Sequence, residues 1–172
     1  MLTADELDHF RHEPASFTET LRQREREFTE LFALDPPFIV NGTVPPLSQW
    51  ARKGETVVEI ATPGTVLTGT AGSGGTAEGR ARVILDPSDP FALEPGDILI
   101  APSTDPSWTP LFVPAAAVVV NVGAMGTHAM IVSRELGIPC VVSVRDATSR
   151  IPDGATITLD GGLGTETVDA LP

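Results

Sequence analysis

The chain has 172 residues, 41% of them hydrophobic, which is enough for one domain with a substantial core. Its formal net charge of −12 argues against a nucleic-acid partner, because affinity for phosphate backbones depends on clustered lysine and arginine. No apolar run approaches the roughly 20 residues that cross a bilayer. The amino terminus does not resemble a secretory signal, and the single cysteine, Cys140, cannot form an internal disulfide. We therefore expect a cytoplasmic protein.

Residues 1–34 differ from the rest of the chain, because they are rich in charge and poor in glycine. Apolar residues recur at helical spacing over residues 17–32, which predicts a helix with one apolar stripe. The stripe is formed by Leu21, Phe28, Leu31 and Phe32. The charged residues between them indicate a solvated face, and a helix that docks on a partner is the alternative. The proline-rich stretch 35–46, DPPFIVNGTVPP, cannot continue the helix and opens a connector over residues 35–54.

Residues 55–172 form the main predicted domain, in which short β-like runs alternate with glycine and proline. The predicted strands are 57–61, 79–85, 98–101, 117–122, 140–144 and 156–159. Two stretches after the connector are predicted helices: 128–136 and, with a weaker helical pattern, 110–116. This part of the chain is expected to be mostly sheet.

The stretch 115–144 contains the feature that points to chemistry. An apolar run at 115–122 is typical of a buried strand, and the glycines from Gly123 to Gly126 predict a turn after it. Thr127 occupies the position of a helix N-cap, and Gly137 followed by Pro139 is a typical helix end. His128 is therefore predicted to lie in the first turn of a helix.

The position of His128 favours interaction with an anion, because backbone N–H groups and the helix dipole point towards a ligand there. Neutral imidazole is also a nucleophile, so its ring nitrogen is a candidate acceptor for a phosphoryl group, with a hydrogen bond from the Thr127 hydroxyl. A structural histidine is the plainer alternative. We expect no metal ligation, since no second histidine, cysteine pair or close carboxylate accompanies His128 in the motif.

Three other places in the sequence are candidate sites. The glycine-rich stretch 71–75 lacks the lysine of a phosphate-binding P-loop, and we interpret it as a mobile loop or hairpin tip. Cys140 lies among apolar residues, and we interpret it as a buried structural thiol. Thr104 and Asp105 follow the predicted strand 98–101 and either border the His128 pocket or belong to an ordinary surface turn.

The segment GAMGTHAMIVSRELGIPCVVSV resembles the mobile phosphohistidine domain of phosphoenolpyruvate-utilising enzymes, the family that includes pyruvate phosphate dikinase, phosphoenolpyruvate synthase and rifampicin phosphotransferase. The resemblance continues upstream through GTAEGRARVILDP and LEPGDILIAPSTDPSWTPLF and downstream through IPDGATITLDGGLG, covering roughly residues 57–168. It implies an α/β fold, specifically a swivelling β/β/α domain after the N-terminal helical segment. It also implies His128 as the phosphorylated residue, Gly126, Thr127 and Ala129 as phosphate-binding residues, and Gly123 as the turn.

The resemblance further implies partners. An ATP-grasp domain would phosphorylate the histidine from ATP, and a second domain, of pyruvate or antibiotic type, would take the phosphoryl group. The swivelling domain itself binds no cofactor, and ATP with Mg²⁺ belongs to the partner. No membrane partner is expected. Gly126 stands where many members carry a hydroxyl residue, so regulation by phosphorylation at that position is not available here.

Outside the motif, we expect Arg134 to serve docking or a surface ion pair, and Arg80 and Arg82 to meet an acidic partner. Two functions from other classes compete with the carrier. One is a non-catalytic regulatory or scaffolding module of the same fold. The other is a hydrolase that uses Ser73 or Cys140 together with His128.

Overall fold

The structure is a computed structural model that describes residues 2–36, 40, 42–52 and 58–172. The chain divides into two compact units, Met1–Val57 and Val58–Pro172. None of the helices in the described ranges has the length and apolar character needed to span a bilayer.

The first unit is helical, as predicted. Helix α1 (Leu7–His12) and helix α2 (Thr18–Leu31) are joined through a short 3₁₀ turn at Pro14–Phe17. Arg24 of α2 donates two hydrogen bonds to the Glu6 carboxylate, at 2.6 and 2.8 Å. Strand β1 (Leu34–Asp35) follows and pairs antiparallel with strand β2 (Ala51–Arg52).

The second unit contains a mixed sheet of eight strands. In chain order they are β3 (Val66–Thr68), β4 (Thr70–Ser73), β5 (Thr76–Val83), β6 (Ile98–Ala101), β7 (Ala117–Val120), β8 (Cys140–Val142), β9 (Thr156–Asp160) and β10 (Thr165–Ala170). The order across the sheet is β3-β10-β9-β5-β6-β7-β8-β4. Strands β5 to β8 are parallel to one another, and the remaining pairs are antiparallel. Three helices complete the unit: α3 (Thr109–Phe112), α4 (His128–Leu136) and α5 (Ala147–Arg150).

Side chains of the central parallel strands alternate between two apolar clusters, because successive residues of a strand point to opposite faces. Ile98 and Ile100 join one cluster, which also contains residues of β9, β10 and α5. Leu99 and Ala101 join the other, which contains residues of α3 and α4. The parallel strands therefore lie between a layer formed by β9, β10 and α5 on one side and helices α3 and α4 on the other. The α/β fold class is confirmed.

The prediction of a strand at 57–61 is wrong for residues 58–61, and Val57 lies outside the described residues. The backbone N–H of Ala61 donates to the carbonyl of Arg150 at 2.8 Å, so the end of α5 binds this segment instead of a neighbouring strand. The other five predicted strands are present: the strand 98–101 has the predicted bounds, and the bounds of the other four differ by up to three residues. Strands β3, β4 and β10 were not predicted.

The prediction of a mobile loop at 71–75 is wrong for residues 71–73, which belong to β4 and pair with β8. Small residues are needed in this part of β4 because β4 and β8 lie very close together. A Cβ atom on Gly72 would lie 2.9 Å from the carbonyl oxygen of Cys140. Only Gly74 and Gly75 form a turn, between β4 and β5.

Cys140 is fully buried in β8, as predicted, and burial raises the pKa of its thiol to about 11. A thiol with such a pKa is protonated at neutral pH and is a poor nucleophile.

Arg80, Arg82 and Arg134 each bind within the second unit, and the contacts expected of them with a partner stay predictions. Arg80 forms ion pairs with Asp97 and Glu94. Arg82 forms one with Asp153 at 2.7 Å. The Nε atom of Arg134 donates to the carbonyl of Gly72 at 2.7 Å, which ties α4 to β4.

Candidate phosphoryl-acceptor site

Helix α4 begins at His128, directly after a turn at the carboxyl end of β7. Gly126 in this turn has φ +86°, a left-handed conformation that glycine adopts without steric cost. Thr127 is the extended N-cap residue, and Gly137 ends the helix with φ +69°. The observed helix has the predicted bounds, His128–Leu136.

The His128 ring is held by three side chains from the segment that follows β6. Its Nδ1 atom lies 3.0 Å from the Thr104 hydroxyl oxygen, and its Nε2 atom lies 3.4 Å from the Thr109 hydroxyl oxygen. The buried Phe112 ring packs nearly perpendicular to the imidazole, with ring centroids 5.6 Å apart. Together these contacts fix the position of the imidazole at the start of α4.

The charge state of the site follows from its surroundings. Partial burial lowers the pKa of His128 below its ordinary value of 6.5, and the charge of Asp105 opposes this shift. Asp105 accepts hydrogen bonds from the Ser107 hydroxyl at 2.6 Å and the Ser107 N–H at 2.8 Å, and both lower the pKa of its carboxyl. At neutral pH the site therefore holds a neutral imidazole beside an ionised carboxylate.

Backbone N–H groups of the first turn of α4 lie at the same end of the helix as the His128 ring. The N–H of Thr127 already donates to the carbonyl of Ala124 at 3.1 Å. The N–H groups of His128, Ala129 and Met130 have no carbonyl four residues earlier within the helix, as in any first helical turn. They are therefore available to oxygens of an anion near the ring.

Thr104 and Asp105, singled out from the sequence, both lie beside His128. Asp105 also caps the short 3₁₀ helix Pro106–Trp108 through its bond from Ser107. The Thr127 hydroxyl donates to the carbonyl of Ala124 at 2.9 Å, and the Ala129 side chain is buried in the helical cluster. Only the backbone of Ala129 is thus available to a ligand.

Gly123 starts the turn and packs against β8. A Cβ atom there would lie 2.8 Å from the Cβ of Val142, so the position has no room for a side chain.

Thr109 and Phe112 were missed by the sequence reasoning. Thr109 directly precedes Pro110, a pairing typical of a helix start, so the start of α3 could be predicted from the sequence. The contact between Thr109 and His128 could not.

The hydrolase alternative is not supported by the geometry. Cys140 is buried and protonated, and Ser73 is only 9% exposed. Among the contacts described for residues 58–172, His128 forms hydrogen bonds with the two threonines and with neither of these residues. Across the described ranges of the chain, no group of three or more His, Cys, Asp or Glu side chains is arranged to hold a metal ion.

Comparison with known proteins places this site in a family context. Residues 93–164, which include His128 and its three ring contacts, match the family described as PEP-utilising enzyme, mobile domain. The chain is 43% identical over 144 residues to the rifampicin phosphotransferase of Streptomyces sviceus, a match that covers 84% of the chain and 16% of that protein.

Two further relatives also match the chain over a small part of their own length. The rifampicin phosphotransferase of Bacillus cereus is 47% identical over 102 residues, which is 59% of the chain and 12% of the relative. The prodigiosin synthesizing transferase PigC of Serratia marcescens is 39% identical over 145 residues, which is 84% of the chain and 16% of the relative. The chain thus spans less than a fifth of the length of these curated relatives, which are much longer proteins.

Proposed function

Since the chain carries a mobile domain of the PEP-utilising enzyme family, we propose that it is a phosphohistidine carrier. In this proposal His128 accepts a phosphoryl group at one site and delivers it at a second. The observation that carries the proposal is the contact of 3.0 Å between Thr104 Oγ1 and His128 Nδ1 at the start of α4. In the proposed tautomer this contact engages Nδ1, and Nε2, whose contact with the Thr109 hydroxyl is longer at 3.4 Å, is the nitrogen that reacts.

The attacking atom in this scheme is Nε2. The proposed tautomer carries its proton on Nδ1, which donates to the Thr104 oxygen, so that the lone pair of the ring lies on Nε2. This lone pair forms the new N–P bond while a P–O bond of the donor breaks, and the electrons of that bond leave with the donor oxygen. The ring then carries a positive charge, which the nearby Asp105 carboxylate stabilises, consistent with its raising effect on the pKa of His128.

The transferred group would be bound mainly by backbone. Its oxygens would accept hydrogen bonds from the first-turn N–H groups of α4, including that of Ala129. Gly126 and Thr127 complete the proposed phosphate-binding set. Thr127 would contribute its hydroxyl by rotating it away from the carbonyl of Ala124.

The partners proposed are an ATP-grasp domain, which supplies ATP and Mg²⁺, and a phosphoryl-acceptor domain, in the same polypeptide or in separate subunits. One histidine must then reach two sites. We propose that the second unit swivels between them, with the proline-rich residues 35–46 as the hinge, because a tether raises the effective concentration of the histidine at each site.

Intact-mass measurement tests the carrier function. The full chain is incubated with ATP, Mg²⁺ and a cognate ATP-grasp domain that is active on its own substrate. We expect one added phosphoryl group, acid-labile, that is absent in His128→Ala and present in His12→Ala, a matched change on exposed α1. If the wild-type chain gains no phosphoryl group although the donor domain is active, the carrier proposal fails and the regulatory or scaffolding module is favoured.

A further inference from the structure

The loops that follow β6, β7 and β8 meet at one edge of the sheet. These three strands are parallel neighbours, with β7 in the middle, so their carboxyl ends lie side by side. Thr104 follows β6, His128 follows β7, and Arg145 follows β8. In open α/β sheets, ligands bind at this edge. The loop 143–146 is thus next to the turn that carries His128.

The loop 143–146 holds an unusual backbone conformation. Ser143 has φ 59° and Asp146 has φ 56°, and within the described residues these are the non-glycine positions with positive φ. Such conformations are sterically unfavourable for residues with a side chain and persist only where the surroundings impose them.

Several contacts fix this loop to the turn before His128. The Ser143 hydroxyl donates to the carbonyl of Gly123. Val144 is buried, and its N–H donates to the carbonyl of Val120 at 3.1 Å. The Asn121 amide group also exchanges two hydrogen bonds with Thr148, of 2.7 and 2.9 Å. The loop therefore has a defined position relative to the histidine turn.

Arg145 is the residue that this loop presents to solvent. Its side chain is 89% exposed, and its ion pair is with the adjacent Asp146, at 3.4 Å. Exposed pairs of this kind contribute little to stability. The other arginines described in the second unit are less available: Arg80, Arg82 and Arg134 interact within it through the bonds given above, and Arg150 is partly buried.

We infer that Arg145 binds the phosphate chain of the phosphoryl donor when His128 reaches the donor site. This inference rests on the proposed carrier function and names a residue for it. Guanidinium groups bind phosphate oxygens in a bidentate manner, and a fixed loop presents the group with little loss of backbone entropy. The chain carries a net charge of −12, so approach to a polyphosphate needs a local positive charge of this kind.

Arg145 lies on the β8 side of the turn, whereas Thr104 contacts the ring from the β6 side. In this inference the guanidinium binds phosphates that extend away from the ring, and the first turn of α4 binds the phosphoryl group on Nε2. Removing Arg145 should accordingly weaken interaction with a polyphosphate.

The test uses two small probes on the full chain. Phosphoramidate phosphorylates His128 without a partner protein, as its P–N bond to ammonia breaks and the N–P bond to the ring forms. Inorganic tripolyphosphate serves as the unreactive polyphosphate and slows this reaction by occupying the edge. The initial rate of phosphohistidine formation is followed by ³¹P NMR at increasing tripolyphosphate concentrations, in wild type, Arg145→Gln, Arg145→Lys and Arg22→Gln.

For Arg145→Gln we expect the half-inhibiting tripolyphosphate concentration to rise at least about fivefold, with each rate expressed relative to the uninhibited rate of the same variant. Arg145→Lys should fall between this variant and wild type. Arg22→Gln, which removes the same charge from exposed α2, should behave as wild type, and melting curves verify that every variant is folded.

Equal inhibition of Arg145→Gln and wild type by tripolyphosphate would overturn the inference while leaving the carrier intact. A wild-type chain that phosphoramidate does not modify at His128 would overturn the proposed function as well.

Discussion

Thr104 and His128 are 24 residues apart in the chain, yet Thr104 Oγ1 and His128 Nδ1 are 3.0 Å apart. The two residues follow neighbouring parallel strands, β6 and β7, and meet because those strands end at the same edge of the sheet. In the proposed mechanism this contact selects which ring nitrogen reacts. Its removal therefore tests the chemistry without touching the histidine.

Replacing Thr104 by alanine should slow phosphorylation of His128 roughly tenfold, because the ring loses the hydrogen bond that fixes its orientation and tautomer. Thr104→Ser keeps the hydroxyl and should retain most of the rate. The measurement is the initial rate of phosphohistidine formation with phosphoramidate, together with ¹⁵N NMR of the imidazole. Equal rates in the alanine and serine variants would show that the hydroxyl has no role.

The rate of His128 phosphorylation should rise as the pH increases through the pKa of the ring and then level off, since only the neutral ring is nucleophilic. Burial lowers this pKa, so the midpoint should lie below 6.5. Asp105→Asn should move the midpoint lower still, because the carboxylate favours the charged ring, while asparagine still caps the 3₁₀ helix. ¹H NMR titration of His128 gives both midpoints, and an upward shift in the asparagine variant would contradict the assigned role of Asp105.

Glu166 should make the folded unit less stable at alkaline pH. Its side chain on β10 is fully buried, both carboxylate oxygens lack a hydrogen-bond partner among the described residues, and burial raises its pKa from 4.5 to about 8. Between these two values the unfolded chain is ionised at this residue while the folded chain holds its proton. The free energy of unfolding should therefore fall with rising pH across this window, by up to about 1.4 kcal/mol per pH unit.

Glu166→Gln should remove this pH dependence, because the amide is neutral throughout and has nearly the same shape. Denaturant unfolding at pH 5, 7 and 9 provides the measurement, with values spaced roughly around the two pKa values. Glu78→Gln, on the partly exposed strand β5, is the matched control and should keep the wild-type slope. A Glu166→Gln variant with an unchanged slope would show that Glu166 is ionised in the folded unit.

Two glycines in the turn before α4 should respond differently to substitution by alanine. At Gly123 the added Cβ would lie 2.8 Å from the Cβ of Val142, so Gly123→Ala should destabilise the unit by about 1–3 kcal/mol through overpacking. At Gly126 there is open space, but φ is +86°, so Gly126→Ala should cost about 1–2 kcal/mol from the backbone alone. Gly126→Asn should recover part of that loss, since asparagine tolerates this region, whereas Gly123→Asn should be worse than alanine. Urea unfolding of the four variants distinguishes these cases.

The helix that carries His128 was predictable because its signals are local. Thr127, Gly137 and Pro139 mark its two ends, and the apolar spacing between them is helical. Strands β6 and β7 were equally clear, since charge-free runs such as Val118–Val120 belong to a strand buried on both faces.

The missed elements depend on tertiary contacts that leave no local pattern. Strand β4 contains Gly72 because β8 lies so close to it. A glycine in a sequence usually predicts a loop, so this strand was missed. Thr109 and Phe112 reach His128 only because α3 packs against α4. The pairing of Arg80 with Asp97 likewise joins residues 17 positions apart, which alternation along a strand does not reveal.

Because Cys140 is buried, the motion of this protein can be measured with a fluorophore attached to an introduced cysteine. A thiol with a pKa of about 11, enclosed between the sheet and α4, should not react with maleimides while the unit is folded. A second cysteine placed at exposed Ser88 would then be the single labelling position, with no need to replace the native one. One fluorophore there and another on a partner domain would report by energy transfer whether, and how fast, the histidine travels between two sites.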